Sequence, residues 1–114
     1  MKERIQRINS LIRDELAKIV FKKIEFSTNT LVTLTRVETT KDLKESKIFV
    51  SVIPEERVKE VLKILNRKIY FLQKKLDKTL KMKIVPRISF FEEKKIIEAA
   101  KIEKILEDLK KRKK

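Results

Sequence analysis

SKIFVSVI (residues 46–53) and KIVPRISFF (residues 83–91) are two strand-like stretches on either side of one long helical stretch. Both are rich in the β-branched and aromatic residues that favour strands. Between them, Pro54 and two glutamates are typical of a helix start, and apolar residues recur every three or four positions to about residue 81. Since a strand, a helical crossover and a second strand form a right-handed connection, the two strands should be parallel neighbours in one sheet.

The helical stretch is too long to stay straight. A straight helix over it would measure roughly 40 Å, more than a domain of this size can cover, so we expect a bend. Asn66 is the poorest helix former near the middle, which places the predicted bend between Asn66 and Tyr70. In the strand that follows, Pro86 has no N–H to donate, so this strand should lie at a sheet edge or contain a bulge at Pro86.

Two further elements precede this segment. Residues 3–24 predict an amphipathic helix, because one helical face carries Ile5, Ile8, Ile12, Leu16 and Ile19. Residues 31–40, LVTLTRVETT, predict a strand that forms a hairpin with the strand at residues 46–53 through the polar connection Thr39–Glu45. The pattern does not indicate which face of this strand is buried, since each face has two apolar residues: Leu31 and Val37 on one, Val32 and Leu34 on the other. We expect the strand at residues 83–91 to lie beside the strand at residues 46–53.

The remaining residues predict a C-terminal helix and a basic end. An apolar stripe on this helix consists of Ala99, Ile102, Ile105, Leu106 and Leu109. The last five residues, Lys110–Lys114, are all cations, and they form either a phosphate-contacting arm or a solubilising end. The length of 114 residues fits one domain, so we expect a single domain over residues 1–109 and a basic tail at 110–114.

Composition removes most kinds of chemistry from this chain. It has no His and no Cys, which excludes an imidazole base, a thiolate nucleophile and nitrogen or sulfur metal ligands. It has no Gly, which excludes a Gly-rich phosphate loop. Adjacent acids such as Glu92 and Glu93 do not face each other and are better explained as helix-start charges. We therefore expect no enzyme, no cofactor and no metal site, and a net charge of +14 indicates a polyanionic partner.

The positive charge is concentrated in residues 67–87, which contain eight cations and one acid, Asp77. On a helix, four of these cations share the face opposite the apolar stripe, and we call them the basic stripe: Arg67, Lys74, Lys78 and Lys81. Tyr70 and Phe71 lie beside this stripe, as aromatic residues do on surfaces that stack bases while cations hold phosphates. The alternative is a solvated lysine face, with both rings packed under the bent helix.

These observations predict a nucleic-acid-binding face and little else. Its expected RNA-binding residues are Arg67, Lys68, Tyr70, Phe71, Lys74, Lys75, Lys78, Lys81, Lys83 and Arg87. No apolar run approaches the roughly 18 residues of a membrane span, and the N-terminus does not resemble a signal peptide, so we expect a soluble, cytoplasmic protein without a membrane partner. The charged content of 42%, mostly Lys and Glu, is typical of a thermophile.

Three groups of residues match one known family. In the first helix they are Arg7-Ile8, Ile12, Glu15-Leu16 and Ile19. In the hairpin they are Val37-Glu38, Asp42-Leu43, Ser46, where the family favours Ala, and residues 48–52. The most specific match is the stretch Leu80–Pro86 that leads into Ile88, Phe90, Phe91, Glu92 and Glu93. Through these residues, positions 4–106 resemble the ribosome-binding factor A family, bacterial assembly factors with a KH-like fold.

This resemblance implies an α+β fold of the type II KH-like class, in the order α-β-β-α-α(bent)-β with a C-terminal helix and a three-stranded mixed sheet. It also implies a monomeric, non-enzymatic factor that binds the free small (30S) ribosomal subunit and assists late maturation and processing of 16S rRNA, with no small-molecule substrate. The chain departs from the family at the bend, where Lys68, Ile69 and Tyr70 replace a helix-bending Ala-x-Gly step. The family's Asp-Pro-Arg step is also missing around residues 25–30.

Two other functions fit the same sequence. The chain could be a general RNA-binding protein without ribosome specificity, or a basic helical interaction module that binds a protein partner through its C-terminal helix. Sedimentation with small subunits at two salt concentrations separates the last possibility from RNA binding, since only an RNA contact should be strongly salt-sensitive.

Overall fold

The structure is a computed structural model that describes residues 2–93. Over this range it has the predicted α+β architecture, in which helices pack on one face of a three-stranded sheet. The helices are α1 (Lys2–Lys23), α2 (Val58–Arg67) and α3 (Ile69–Thr79), the strands are β1 (Leu31–Thr39), β2 (Glu45–Ile53) and β3 (Arg87–Glu92), and a single 3₁₀ turn (Glu55–Arg57) precedes α2.

The sheet has the predicted order and directions. Strand β2 lies in the centre, antiparallel to β1 and parallel to β3. The β2–β3 register runs from the pair Glu45 and Arg87 to the pair Val50 and Glu92. The helical connection between β2 and β3 thus returns the chain to the same end of the sheet, as a parallel crossover requires.

A bulge at Thr35 explains why alternation alone does not identify the buried face of β1. Leu34 pairs with Val50 and Arg36 with the next residue back along β2, so Thr35 is an extra residue in the strand. An inserted residue reverses the alternation beyond it. As a result Leu34 and Val37, which simple alternation assigns to opposite faces, are both buried in the core.

The core forms between the helices and one face of the sheet. In α1 the buried residues recur every fourth position, whereas Ile5 and Ile19 of the predicted stripe are only half-buried. Helices α2 and α3 each bury two residues four positions apart, and β2 and β3 bury alternate residues. The central members of this core are Ile12, Leu16, Ile48, Val50, Val61, Leu65, Leu72, Leu76 and Ile88.

The predicted bend lies at Lys68. This residue ends α2 with φ −100° and ψ 9°, and its N–H is shared between the carbonyls of Ile64 and Leu65. Because φ is negative, a residue with a Cβ adopts this conformation readily, so position 68 does not need the small Ala of the family's Ala-x-Gly step. The helical connection can therefore bend without a small residue at Lys68 or Tyr70.

Helix α3 and strand β3 are both shorter than the sequence predicts. Leu80 continues the apolar spacing and is buried, but its backbone is extended at φ −82° and ψ 131°, so α3 ends at Thr79 and Lys81 lies in the following loop. Strand β3 begins only at Arg87, just after the buried Pro86. It is an edge strand of this sheet, as the proline predicts.

The chain beyond Glu93 lies outside the described residues. The predicted C-terminal helix and the basic tail at 110–114 both fall there, so the division of the chain at residue 109 stays a prediction.

Candidate nucleic-acid interface

The exposed face of α3 is set by the residues that the helix buries. Leu72 and Leu76 point into the core, so side chains about half a turn away point to solvent. Lys74 and Lys78 lie on this outer face and are exposed, and Arg67 is exposed at the end of α2. Three members of the basic stripe thus lie on helical surfaces facing solvent, as the sequence predicts, while the fourth, Lys81, does not belong to a helix.

Both aromatic residues of α3 reach the surface. Tyr70 is 73% exposed and Phe71 is 39% exposed, which excludes the alternative that the bent helix covers both rings. The Nζ atom of Lys74 lies 5.2 Å from the Tyr70 ring centroid, and that of Lys75 lies 5.8 Å from the Phe71 centroid. These are cation–π contacts between residues one helical turn apart. Tyr70 presents the larger ring area and is the better stacking platform.

Lys81 and Lys83 lie in the loop between α3 and β3, where the fold brings them to residues far away in the sequence. Together with the β1–β2 connection and the start of α1, this loop encloses a cleft of about 490 Å³. We call it the loop cleft, and it is lined by Arg4, Asp42, Leu43, Lys44, Lys81, Met82, Lys83 and Ile84. Arg87 is adjacent, since its N–H donates to the Lys44 carbonyl at 2.8 Å.

Sequence reasoning missed two cations of this region, Arg4 and Lys44. Neither belongs to a basic run, and only the topology places the first turn of α1 and the hairpin connection beside the loop after α3. The loop cleft therefore has four cations and one acid, Asp42. The Thr40 hydroxyl and the Lys44 N–H both donate to the Asp42 carboxylate, and these bonds lower the pKa of Asp42.

The predicted cations are not neutralised by acids within residues 2–93. The ion pairs described there join Arg13 to Asp14, Lys18 to Glu15, and Arg36 to two glutamates. Nine of the ten predicted RNA-binding residues are exposed, and Lys75 is half-buried. A cation without an acidic partner on the surface is available to a phosphate.

Arg36 is a cation that does not belong to the candidate RNA-binding surface. It lies on the open face of the sheet, with its guanidinium carbon 3.7 Å from the Phe49 ring centroid. Its Nε donates to Glu93 Oε2 at 2.7 Å, and it also pairs with Glu38. The hydrogen bond with Glu93 raises the pKa of Arg36. Because two acids neutralise it, this side chain holds the sheet together rather than meeting a phosphate.

Two findings bear on other functions. Across residues 2–93 no group of three or more His, Cys, Asp or Glu side chains could hold a metal ion. Over the same range no helix combines the length and apolar character needed to cross a membrane.

Comparison with known proteins gives a consistent family assignment. The family model described as ribosome-binding factor A matches residues 4–106. Ribosome-binding factor A of Thermodesulfovibrio yellowstonii is 33% identical over 109 residues, covering 96% of this chain and 92% of the relative.

Solved structures share the fold. The crystal structure of ribosome-binding factor A from Thermus thermophilus has a TM-score of 0.68 at 22% identity, covering 77% of this chain and 94% of that one. A homology model of the Thermus thermophilus protein, fitted into a cryo-EM map of a 30S complex, has a TM-score of 0.63 at 23% identity and covers 75% of this chain and 90% of that one. The sequence match over most of the chain, together with this shared fold, shows that the chain belongs to the ribosome-binding factor A family.

Proposed function

We propose that this protein is a cytoplasmic, monomeric assembly factor that binds the free small (30S) ribosomal subunit through 16S rRNA and assists the late maturation and processing of that RNA. It acts by binding and not by catalysis. Family membership supports the ribosomal partner, and so does the fold shared with the Thermus thermophilus protein whose homology model was fitted into a map of a 30S complex.

One observation carries the RNA contact: exposed cations without described acidic partners lie beside an exposed aromatic ring. Lys74 and Lys78 are held on a helix whose other face is buried, so little side-chain ordering accompanies their contact with phosphates. Tyr70 offers a ring on which an unpaired base can stack. The ten residues named from the sequence, from Arg67 to Arg87, are the proposed interface, extended by Arg4 and Lys44.

The effect on the ribosome follows from differential binding. A protein shifts an RNA toward one conformer only by binding that conformer more tightly than the others. A rigid face with fixed cations meets this condition, because its charges match one arrangement of phosphates better than another. Release then requires a later conformer that no longer matches the face.

The test is cosedimentation of the purified protein with small subunits. The variant Lys74→Glu/Lys78→Glu should lose association while keeping its melting temperature, because both side chains point to solvent. The matched control is Lys22→Glu/Lys23→Glu, which makes the same charge change at two exposed lysines at the C-terminal end of α1, neither of them in a described ion pair. The control should retain most of the association.

Two outcomes would contradict the proposal. Equal loss in both variants would mean that net charge, and not this face, determines binding. Undiminished association of the α3 variant would exclude α3 from the interface. The protein-interaction alternative depends on the C-terminal helix, which lies outside the described residues.

A further inference from the structure

The loop cleft combines an apolar floor with a charged rim. Its floor consists of Leu43, Met82 and Ile84. Leu43 and Met82 are half-buried against the core, whereas Ile84 is 72% exposed. Its volume of about 490 Å³ lies in the range of pockets that hold small organic groups.

The rim of the loop cleft is strongly positive. Arg4, Lys44, Lys81 and Lys83 surround the floor, and no described ion pair involves any of them. The single acid, Asp42, is engaged by Thr40 and by the Lys44 N–H in its own turn. The ligand that complements this rim is therefore an anion, and the floor requires that it also carries an apolar surface.

The backbone of the floor is held in a costly conformation. Leu43 has φ 60°, in the left-handed region that bulky residues avoid. The turn is retained by the bond from the Leu43 N–H to the Thr40 carbonyl at 2.9 Å and by the Asp42 contacts. Such a conformation persists only where the surroundings fix it, and here it makes Leu43 part of the cleft floor.

An unpaired nucleotide satisfies both requirements at once. Its base has flat apolar faces that can pack on aliphatic side chains, and its phosphates are the anions that lysine and arginine bind. A paired duplex satisfies only the rim, because its bases stay stacked on one another. A bare phosphate leaves the exposed Ile84 without a contact.

We propose that the loop cleft binds one extruded nucleotide of the RNA, with the base on Leu43, Met82 and Ile84 and the flanking phosphates against Arg4, Lys44, Lys81 and Lys83. This inference rests on the proposed RNA-binding function and adds a ligand class to it. It adds a site for one unpaired residue of the RNA to the contacts that α3 makes with phosphates.

The experiment compares two short RNA hairpins that differ by one bulged adenosine, by fluorescence anisotropy at a fixed salt concentration. The wild-type protein should bind the bulged hairpin about fivefold more tightly, the low end of the range for a base stacked on an aromatic ring, because the cleft offers aliphatic side chains. A third hairpin with an abasic bulge should bind like the paired one. Free adenosine monophosphate should not displace the bulged hairpin, because it lacks the flanking phosphates of the chain.

The variant Ile84→Ser should remove the preference for the bulge and leave binding of the paired hairpin unchanged. Its matched control is Ile53→Ser, an exposed isoleucine at the opposite end of the sheet, which should keep the preference. Both variants should melt like the wild type, since neither side chain is in the core. Lys74→Glu/Lys78→Glu should weaken both hairpins alike.

The outcomes separate the two proposals. If the wild type binds bulged and paired hairpins equally, or if Ile84→Ser keeps the preference, the nucleotide site is wrong and the RNA-binding function stands. Displacement by free adenosine monophosphate would also overturn the proposal, because it would assign the cleft to a free nucleotide. If neither hairpin binds and the protein does not sediment with small subunits, the proposed function itself fails.

Discussion

Glu93 contributes to the stability of the sheet in a way that its sequence context does not indicate. Its side chain is only 2% exposed, although carboxylates are seldom buried this deeply. Arg36 of β1 and the hydroxyl of the bulged Thr35 both donate to it, and Thr35 also donates to the Phe49 carbonyl of β2. One side chain at the end of β3 therefore joins all three strands, whereas the sequence indicated only a helix-start charge.

Replacing the Glu93 carboxylate should destabilise the fold. Glu93→Gln keeps the size of the side chain but removes the more buried of the two carboxylates that pair with Arg36, so we expect a loss of about 2 kcal/mol in the free energy of unfolding. Urea denaturation at neutral pH measures it. Glu92→Gln is the matched control, and equal effects of the two changes would show that the Arg36 contact contributes nothing.

At the scale of elements, the sequence predicts which helices and strands exist, their order and their pairing. It predicts less well where each element begins and ends. Apolar spacing predicted the helices, β-branched and aromatic composition predicted the strands, and the length of the helical stretch together with Asn66 predicted the bend. The same spacing carried the prediction of α3 past its end, because Leu80 is buried at a helical interval without being helical. The bulge at Thr35 has no glycine to indicate it, and the loop cleft depends on contacts between segments distant in sequence.

Gln73 is the connection between α3 and the start of β3. Its amide nitrogen donates to the Pro86 carbonyl at 3.0 Å, and its amide oxygen accepts from the Ile88 N–H at 2.8 Å. Both of these hydrogen bonds are partly buried, and the amide nitrogen also donates to Asp77 Oδ1 at 3.1 Å, so the side chain completes the strand start that Pro86 interrupts.

Removing this connection should loosen the strand locally. Gln73→Ala leaves the Pro86 carbonyl and the Ile88 N–H unpaired, for a destabilisation of about 1–2 kcal/mol. Hydrogen exchange followed by NMR should show the Ile88 amide exchanging faster, with amides of α1 little changed. Gln6→Ala on the exposed surface of α1 is the control, and an unchanged Ile88 exchange rate in Gln73→Ala would refute the role of the amide.

At the scale of the whole molecule, charge is the property that sequence analysis identified most directly. The net charge of +14 and the concentration of cations in residues 67–87 are visible without any structure. The structure divides those cations between the helical surface of α3 and the rim of the loop cleft. The helical periodicity could not reveal this division, because it treats Lys81 as a member of the helix.

Binding to the small subunit should weaken steeply with salt. For about five phosphate contacts, a plot of log K against log salt concentration should have a slope of about −4. Filter binding over a range of potassium chloride concentrations gives this slope. Replacing Lys74 and Lys78 with alanine should reduce its magnitude by about 2, and a flat response in the wild type would exclude phosphate contacts as the main source of affinity.

The buried position of Glu93 has a consequence for the chain that follows it. Its N–H donates to the Val50 carbonyl at 2.7 Å and its carboxylate is held by β1, so the remaining residues leave the sheet from a fixed point. The tail begins at Lys110, which full extension places at most roughly 60 Å away. A phosphate-contacting arm, one of the two expectations for these cations, would meet a bound RNA within that radius intramolecularly, at an effective concentration that the anchor and the intervening length determine. Shortening that length would change how often the tail meets the RNA without altering any contact of the folded face.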